Sequence, residues 1–341
     1  MQQFASDNQA GICPEAFAAM AAVNAAHEPS YGDDKWTAEL RARMRALFET
    51  DACETFLVFN GTSANALALA ALCRPFEATI CHALSHIETD EAAAPEFFSG
   101  GAKLLVADTP DAKLVPEAVH RLAARYEGFH HVKARALSLT QSTEVGTVYT
   151  IDELRALTAA AREHGLKVHM DGARFANAVA TLGCHPAETA WRSGVDILSF
   201  GATKNGLAVG EAIVFFDPAL SDAFAWRVKQ TGQLASKMRF VAAPWCALLE
   251  GDVWLRNARH SNAMAKRLAE RLTRIPGVRL LYPVEANAVF ADIPVTVQNA
   301  VRTLGWQFYT FLGETGCRFM CAWDTQPETI DRFAEDIARA T

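Results

Sequence analysis

The 341 residues contain no CxxC pair, no HExxH and no G-x-G-x-x-G. The first two absences remove the usual zinc-ribbon, dithiol-redox and metalloprotease readings. The third removes the phosphate turn of an NAD-dependent dehydrogenase. The eight cysteines, at 13, 53, 73, 81, 184, 246, 317 and 321, are scattered and read as small apolar fillers in a reducing compartment. No run of about eighteen uncharged apolar residues appears, and no block of Lys or Arg stands out against a formal charge of -7. Neither a membrane nor a nucleic acid is therefore expected as a partner. Residues 1–8 lack a basic region followed by an apolar stretch, so a cytoplasmic location is expected.

What is present is apolar content of 50% with 21% charged residues, enough for a sizeable core. The length exceeds what one core usually fills. It predicts a large domain over 1–250, with 1–30 as an arm, and a smaller one over 251–341.

Periodicity predicts a helix over 38–50, with Leu40, Met44, Leu47 and Phe48 on one face, a strand over 55–59 and an alanine-rich helix over 62–73. Short β-rich runs follow at 79–81, 103–107, 136–139, 167–170, 196–200 and 212–216, separated mostly by helical segments such as 151–164. That alternation implies a mostly parallel sheet covered on both faces. Beyond Pro244 the pattern changes to a long helix over 252–274 and strands at 278–282, 288–291 and 317–322, an α+β character. Thr325-Gln326-Pro327-Glu328 reads as a capping box opening a last helix.

In parallel sheets, ligands gather beyond the carboxyl ends of the strands. Two such ends carry chemistry: one run ends at Asp171 and another, about thirty residues on, reaches Lys204. An acid and an amine so placed suit pyridoxal phosphate, the lysine bonding to the cofactor aldehyde and the carboxylate keeping the pyridine nitrogen protonated. Taken singly, a surface lysine and a helix-capping aspartate would look the same. A third feature shifts the balance: the 55–59 strand runs into Asn60-Gly61-Thr62-Ser63-Ala64-Asn65, a small hydroxyl-bearing turn opening a helix. Unpaired N–H groups there form a phosphate cup, with the Thr62 and Ser63 hydroxyls beside it.

His82 and His86, four apart after another strand, fit either a ring stacked on a cofactor or two metal ligands. No third ligand accompanies them, and no metal is expected. His130 and His131, ahead of the strand that ends at Thr140, are candidates for acid–base work or solvated loop residues. Arg174, Arg239 and Arg318 offer forks for carboxylate or phosphate; Arg318 interrupts an apolar run, as an edge-strand arginine facing water also would.

Together these motifs, with Ser6-Asp7, Tyr31-Gly32-Asp33-Asp34, Ser85-His86, His169 to Arg174 and Thr203-Lys204-Asn205-Gly206, resemble the low-specificity L-threonine aldolases and their relatives the phenylserine aldolases. The resemblance runs from residue 6 to Arg318. It implies a fold-type-I, aspartate-aminotransferase-like α/β subunit in which Lys204 carries pyridoxal 5'-phosphate, Asp171 pairs with the ring nitrogen and His86 stacks on the ring. Gly61, Thr62 and Ser63 would hold the phosphate. Ser6, Arg174 and Arg318 would grip the substrate carboxylate, His130 would lie near the substrate hydroxyl, and Tyr31 would line the same pocket. Arg239 would reach the cofactor phosphate of a neighbouring subunit, which makes a homodimer the minimum and a tetramer with shared sites the expectation.

The implied reaction is retro-aldol cleavage of L-threonine, L-allo-threonine or a related β-hydroxy-α-amino acid to glycine and an aldehyde, with His130 or His86 as base. Thr203-Lys204-Asn205-Gly206-Leu207-Ala208 departs from the Ser-Lys-Gly-Leu-Gly of many members, and residues 91–98 carry less glycine than usual. Rival readings are an L-phenylserine aldolase, a β-lyase or aminotransferase sharing Asp171 and Lys204, and a non-catalytic scaffold. A metal-dependent D-threonine aldolase would carry its lysine near the N-terminus of a barrel, and Lys204 comes too late in the chain for that.

Overall fold

Short apolar, β-branched runs become strands where a neighbour satisfies their main-chain groups. In the computed structural model, which describes residues 2–125 and 128–341, they do so in three sheets. In chain order the strands are β1 (Gln2–Gln3), β2 (Glu54–Val58), β3 (Glu77–His82), β4 (Lys103–Ala107), β5 (Lys133–Thr140), β6 (Lys167–Gly172), β7 (Ile197–Phe200) and β8 (Glu211–Phe215). They continue with β9 (Arg279–Leu280), β10 (Ala288–Asp292), β11 (Trp306–Gln307), β12 (Tyr309–Leu312) and β13 (Gly316–Met320).

Seven strands form one sheet in the order β2-β8-β7-β6-β5-β3-β4, in which β8 alone runs against its neighbours. Alternate residues of its central strands feed two apolar clusters, as the period-2 pleat requires. Leu198, Phe200, Ala212 and Val214 join a core with the helices Lys35–Phe48, Ile151–Glu163 and Phe175–Leu182. Ile197, Ile213 and Phe215 join the other with the helices Gly61–Leu72 and Phe224–Gln230. Phe200 is the hub of the first, its ring within 6.2 Å of those of Phe48, Phe175, Trp245 and Trp254.

The C-terminal part builds an antiparallel sheet, β12-β13-β10-β9, against the helices Val253–Leu272, Val295–Thr303 and Pro327–Ala340. The arm joins this side: β1 pairs in parallel with β11, and Phe4 is buried among Trp306 and Phe333. That contact carries Ser6 and Asp7 to the carboxyl ends of the large-sheet strands.

Two local expectations change. Thr150 and Glu153 make the capping box that opens Ile151–Glu163, whereas the last helix is capped at Gln326 without a side-chain bond. The Thr325 hydroxyl instead accepts from Ala322 N–H at 2.8 Å, closing the preceding turn. β12 and the helix Val295–Thr303 were not legible as periodic segments; β12 is a partly exposed strand with a register shift against β13. No described helix is long and apolar enough to cross a membrane.

Candidate active site

β6 and β7 end side by side, with Asp171 opposite Ser199. Beyond β7 a tight turn, Thr203–Asn205, carries Lys204, and Gly206 at φ +112° closes it. The turn is held from three sides: Glu211 accepts from the Ala202 and Thr203 N–H groups, Asn205 donates to the Trp254 carbonyl at 2.9 Å, and Asn257 donates to the Asn205 carbonyl at 3.0 Å. Gly201 lets this turn approach β6, since a Cβ there would lie 2.5 Å from the Ala173 carbonyl oxygen.

Lys204, Asp171, His86, Asn65, Gly61 and Thr62 all line one cavity of about 260 Å3, with Asn8, Phe59 and Glu211 at its walls. Asp171 is buried. Its Oδ1 accepts from Ala173 N–H at 2.9 Å and its Oδ2 from the Asn65 amide at 2.8 Å, so one lone pair on each oxygen is left for a further donor. Behind it, His169 is clamped between the Ser138 and Ser199 hydroxyls at 3.0 and 2.9 Å, and burial pushes its pKa down to about 4. A neutral His169 ties β5, β6 and β7 together under Asp171 without adding charge.

The helix Gly61–Leu72 points its N-terminus at the cavity. Asn60 Oδ1 caps Ser63 N–H at 2.9 Å and Ala64 N–H binds the Asn60 carbonyl, which leaves the Gly61 and Thr62 amides unclaimed. A Cβ built on Gly61 meets nothing within 4 Å. This is the space and the donor set that a phosphate takes at a helix terminus. Ser63 does not line the cavity. With an amine, a buried carboxylate and that cup converging, the residues fit pyridoxal phosphate.

His86 opens the short helix His86–Thr89 and is half-buried. Its Nδ1 lies 2.8 Å from Glu91 Oε1, and that hydrogen bond raises its pKa above the ordinary histidine value. His82 is spent on structure: its Nδ1 accepts from Leu84 N–H at 3.0 Å, and its Nε2 sits against the Thr109 main chain, 3.0 Å from the carbonyl oxygen and 3.2 Å from the amide nitrogen.

The expected carboxylate clamp differs in detail. Arg174 already holds Asp7 through Nε at 2.7 Å and Nη2 at 2.9 Å. Burial opposes the charge on Asp7, but the Arg174 guanidinium beside it holds the carboxyl below the usual range. Arg318 has the open fork. Its Nη2 donates to the Ala5 carbonyl at 3.3 Å, its Nε is buried without a partner, and its guanidinium lies over the Tyr309 and Phe311 rings. The Ser6 hydroxyl accepts from Asn8 N–H at 3.2 Å, in a turn that packs against the one bearing Lys204.

Like Ser63, the expected site residues Ser6, Arg174 and Arg318 do not line the cavity of their own chain, and neither do His130, Tyr31 and Arg239. His130 precedes β5, whose far end, Thr140, is the one beside Asp171. Eight residues of strand, roughly 25 Å, separate it from the site; it is exposed, with its ring against Phe129. Within its own chain, then, His130 does not reach this cavity. Tyr31, about half exposed, donates its N–H to the Ser236 carbonyl under the Lys229 ammonium. Arg239 Nε donates to the Val23 carbonyl at 3.1 Å. Conversely, Asp7, Asn65, Glu91 and Glu211, which are buried, and Glu144, whose Oε2 is buried, are polar members of the site that no spacing rule marks. Asn65 sits inside the phosphate-cup motif, and its position one helical turn beyond Gly61 was the available signal.

The family described as beta-eliminating lyase matches residues 3–296. A low specificity L-threonine aldolase of Pseudomonas aeruginosa is 57% identical, covering 98% of this chain and 97% of that protein. A solved threonine aldolase structure from Leishmania major superposes with a TM-score of 0.93 at 29% identity, covering 99% of this chain and 98% of that one. Aspartate aminotransferase of Thermus thermophilus, at 19% identity, matches in fold with a TM-score of 0.72 over 100% of this chain and 92% of its own.

Proposed function

The chain belongs to the beta-eliminating lyase family, with an aspartate-aminotransferase-like fold, and on that footing we propose that it is a pyridoxal-phosphate-dependent aldehyde-lyase cleaving L-threonine to glycine and acetaldehyde. The observation that carries this reading is the convergence of Lys204, Asp171 and the unclaimed Gly61 and Thr62 amides on one cavity. The 57% identity to a low specificity L-threonine aldolase supports the reaction. Pyridoxal phosphate, when bound, supplies an electron sink for the bond that breaks at the substrate α-carbon.

In this reading Lys204 holds the cofactor covalently, Asp171 keeps the ring nitrogen protonated, and the helix terminus at Gly61 and Thr62 takes the phosphate. Arg318, with the free Nη1 edge of Arg174 and the Ser6 hydroxyl, holds the substrate carboxylate and so sets which α-carbon bond faces the ring. His86 accepts the β-hydroxyl proton as the Cα–Cβ bond breaks and acetaldehyde leaves; the α-carbon then gains a proton to become glycine.

His130, Tyr31 and Arg239 would act only on the site of another copy, so the competent unit proposed is a cytoplasmic homo-oligomer, at least a dimer. The chain would divide into a large unit over 1–250 and a small one over 251–341, bridged by Asp7 through Arg174 and Asn287.

Borohydride reduction of the holoenzyme followed by peptide mapping tests the reading, together with an acetaldehyde assay on L-threonine. A reduced cofactor adduct on Lys204 and equal release of glycine and acetaldehyde are expected. An adduct elsewhere, or no cleavage by the yellow holoenzyme, overturns it.

A further inference from the structure

His86 is held at both ends by buried carboxyls. Glu144 accepts its main-chain N–H at 3.0 Å, and Glu91 lies 2.8 Å from its ring Nδ1. Glu91 has a fully buried side chain, and the same Oε1 accepts a second hydrogen bond, from Asn65 Nδ2 at 2.9 Å. Asn65 gives its other amide hydrogen to Asp171 at 2.8 Å. Its orientation is set by chemistry, since only the NH2 end can face two carboxylates. The anion beneath the cofactor nitrogen and the ring expected to cover the cofactor are thus wired through a single amide.

Burial raises the Glu91 pKa, but the hydrogen bonds from His86 and Asn65 favour its anion, and against that anion the proton in the Glu91–His86 bond belongs to Nδ1. We propose that Glu91, tethered by Asn65, is a positioning residue that fixes His86 with Nδ1 protonated and presents Nε2 to the substrate hydroxyl. The function assigned to Nε2 rests on the aldolase reading; the tautomer does not.

When Nε2 takes a proton, Glu91 faces the resulting imidazolium across a 2.8 Å hydrogen bond and stabilises it. The other charged groups facing His86 are Asp90, whose Oδ2 is 3.6 Å from Nε2 and largely in solvent, Asp171 and Lys204. Asp90 is screened by water, Lys204 opposes protonation and Asp171 favours it without bonding to the ring, which leaves Glu91 as the group that holds the ring by a hydrogen bond.

The test is 15N NMR of histidine-labelled holoenzyme across pH, with the His86 signals identified by their absence in His86→Asn, beside kcat profiles of wild type, Glu91→Gln and Asp90→Asn. The expected wild-type signature is a protonated Nδ1 and a free Nε2. Glu91→Gln should lower the His86 midpoint by about one pH unit or more and move the acid limb of kcat the same way. kcat should fall about a hundredfold, with a smaller change in KM. Asp90→Asn should shift the midpoint less. If Glu91→Gln does not yield folded yellow enzyme, Glu91→Asp carries the test, restoring the charge with a smaller midpoint change. An Nε2-protonated His86, or a midpoint that Glu91→Gln leaves in place, overturns the proposal. The titration needs no turnover, so a wild type that fails to cleave L-threonine would sink the aldolase reading and leave this result standing.

Discussion

Glu144 offers a quantitative test of the buried electrostatics. Its Oε1 accepts from the Thr140 hydroxyl at 2.8 Å and from His86 N–H at 3.0 Å, while Oε2 is buried with no partner. Burial, reinforced by the nearby Asp171 charge, pushes its pKa from 4.5 to about 7. Below pH 4.5 folded and unfolded chains both carry the proton; between 4.5 and 7 only the folded chain keeps it, so stability falls as pH rises through that window. At about 1.4 kcal/mol per pH unit the full loss is about 3 kcal/mol, of which roughly 2 to 3 kcal/mol falls between pH 5 and pH 8.

Glu144→Gln keeps the acceptor for His86 and Thr140 but cannot ionise. Its amide nitrogen, placed where Oε2 was, costs about 1–3 kcal/mol at every pH and cancels when one pH is compared with another. Guanidinium unfolding of the cofactor-free protein, at fixed protein concentration, should therefore show the variant gaining roughly 2 to 3 kcal/mol on the wild type from pH 5 to pH 8. Parallel pH dependences for the two proteins would refute a carboxyl that stays protonated when folded.

Arg318→Ala should lower kcat/KM for L-threonine about tenfold to a hundredfold, as expected for losing charge-assisted hydrogen bonds to a carboxylate, and Arg318→Lys should recover only part of it. Steady-state kinetics decides: an unchanged kcat/KM removes Arg318 from the clamp. Gly201→Ala would force its Cβ onto Ala173, 2.5 Å from the carbonyl oxygen, and pass the strain to the Asp171 and Lys204 turns. It should cost about 1–3 kcal/mol and weaken cofactor retention, measured by the visible absorption after dialysis; full retention would mean that the two turns do not depend on their close approach.

Much of the scaffold was legible because it is written locally. Strand-like runs at 167–170, 196–200 and 212–216 and the helix from residue 62 depend on period-2 and period-3.6 patterns over a few residues. The ends of β6 and β7 and the small-residue turn after β2 likewise announced Asp171, Lys204 and the phosphate cup from short stretches of chain. What stayed hidden depends on residues far apart. Asp7 and Arg174 are 167 positions apart, and nothing near either predicts that one would occupy the fork of the other. Glu91 and Glu144 look like any loop acids until Asn65 and His86 close on the first, and Thr140 and the His86 main chain on the second.

His130 shows the limit most plainly. Its neighbours in sequence place it before a strand that ends at the site, but only the direction of β5 in the sheet decides that it lies at the opposite end. The chain's own order thus determined which segments become strands and helices and which turns carry an amine, an acid and free amides. Tertiary structure alone decided which charges are stripped of water and which partners they then share, because desolvation and pairing belong to the enclosed volume and not to any one segment that borders it.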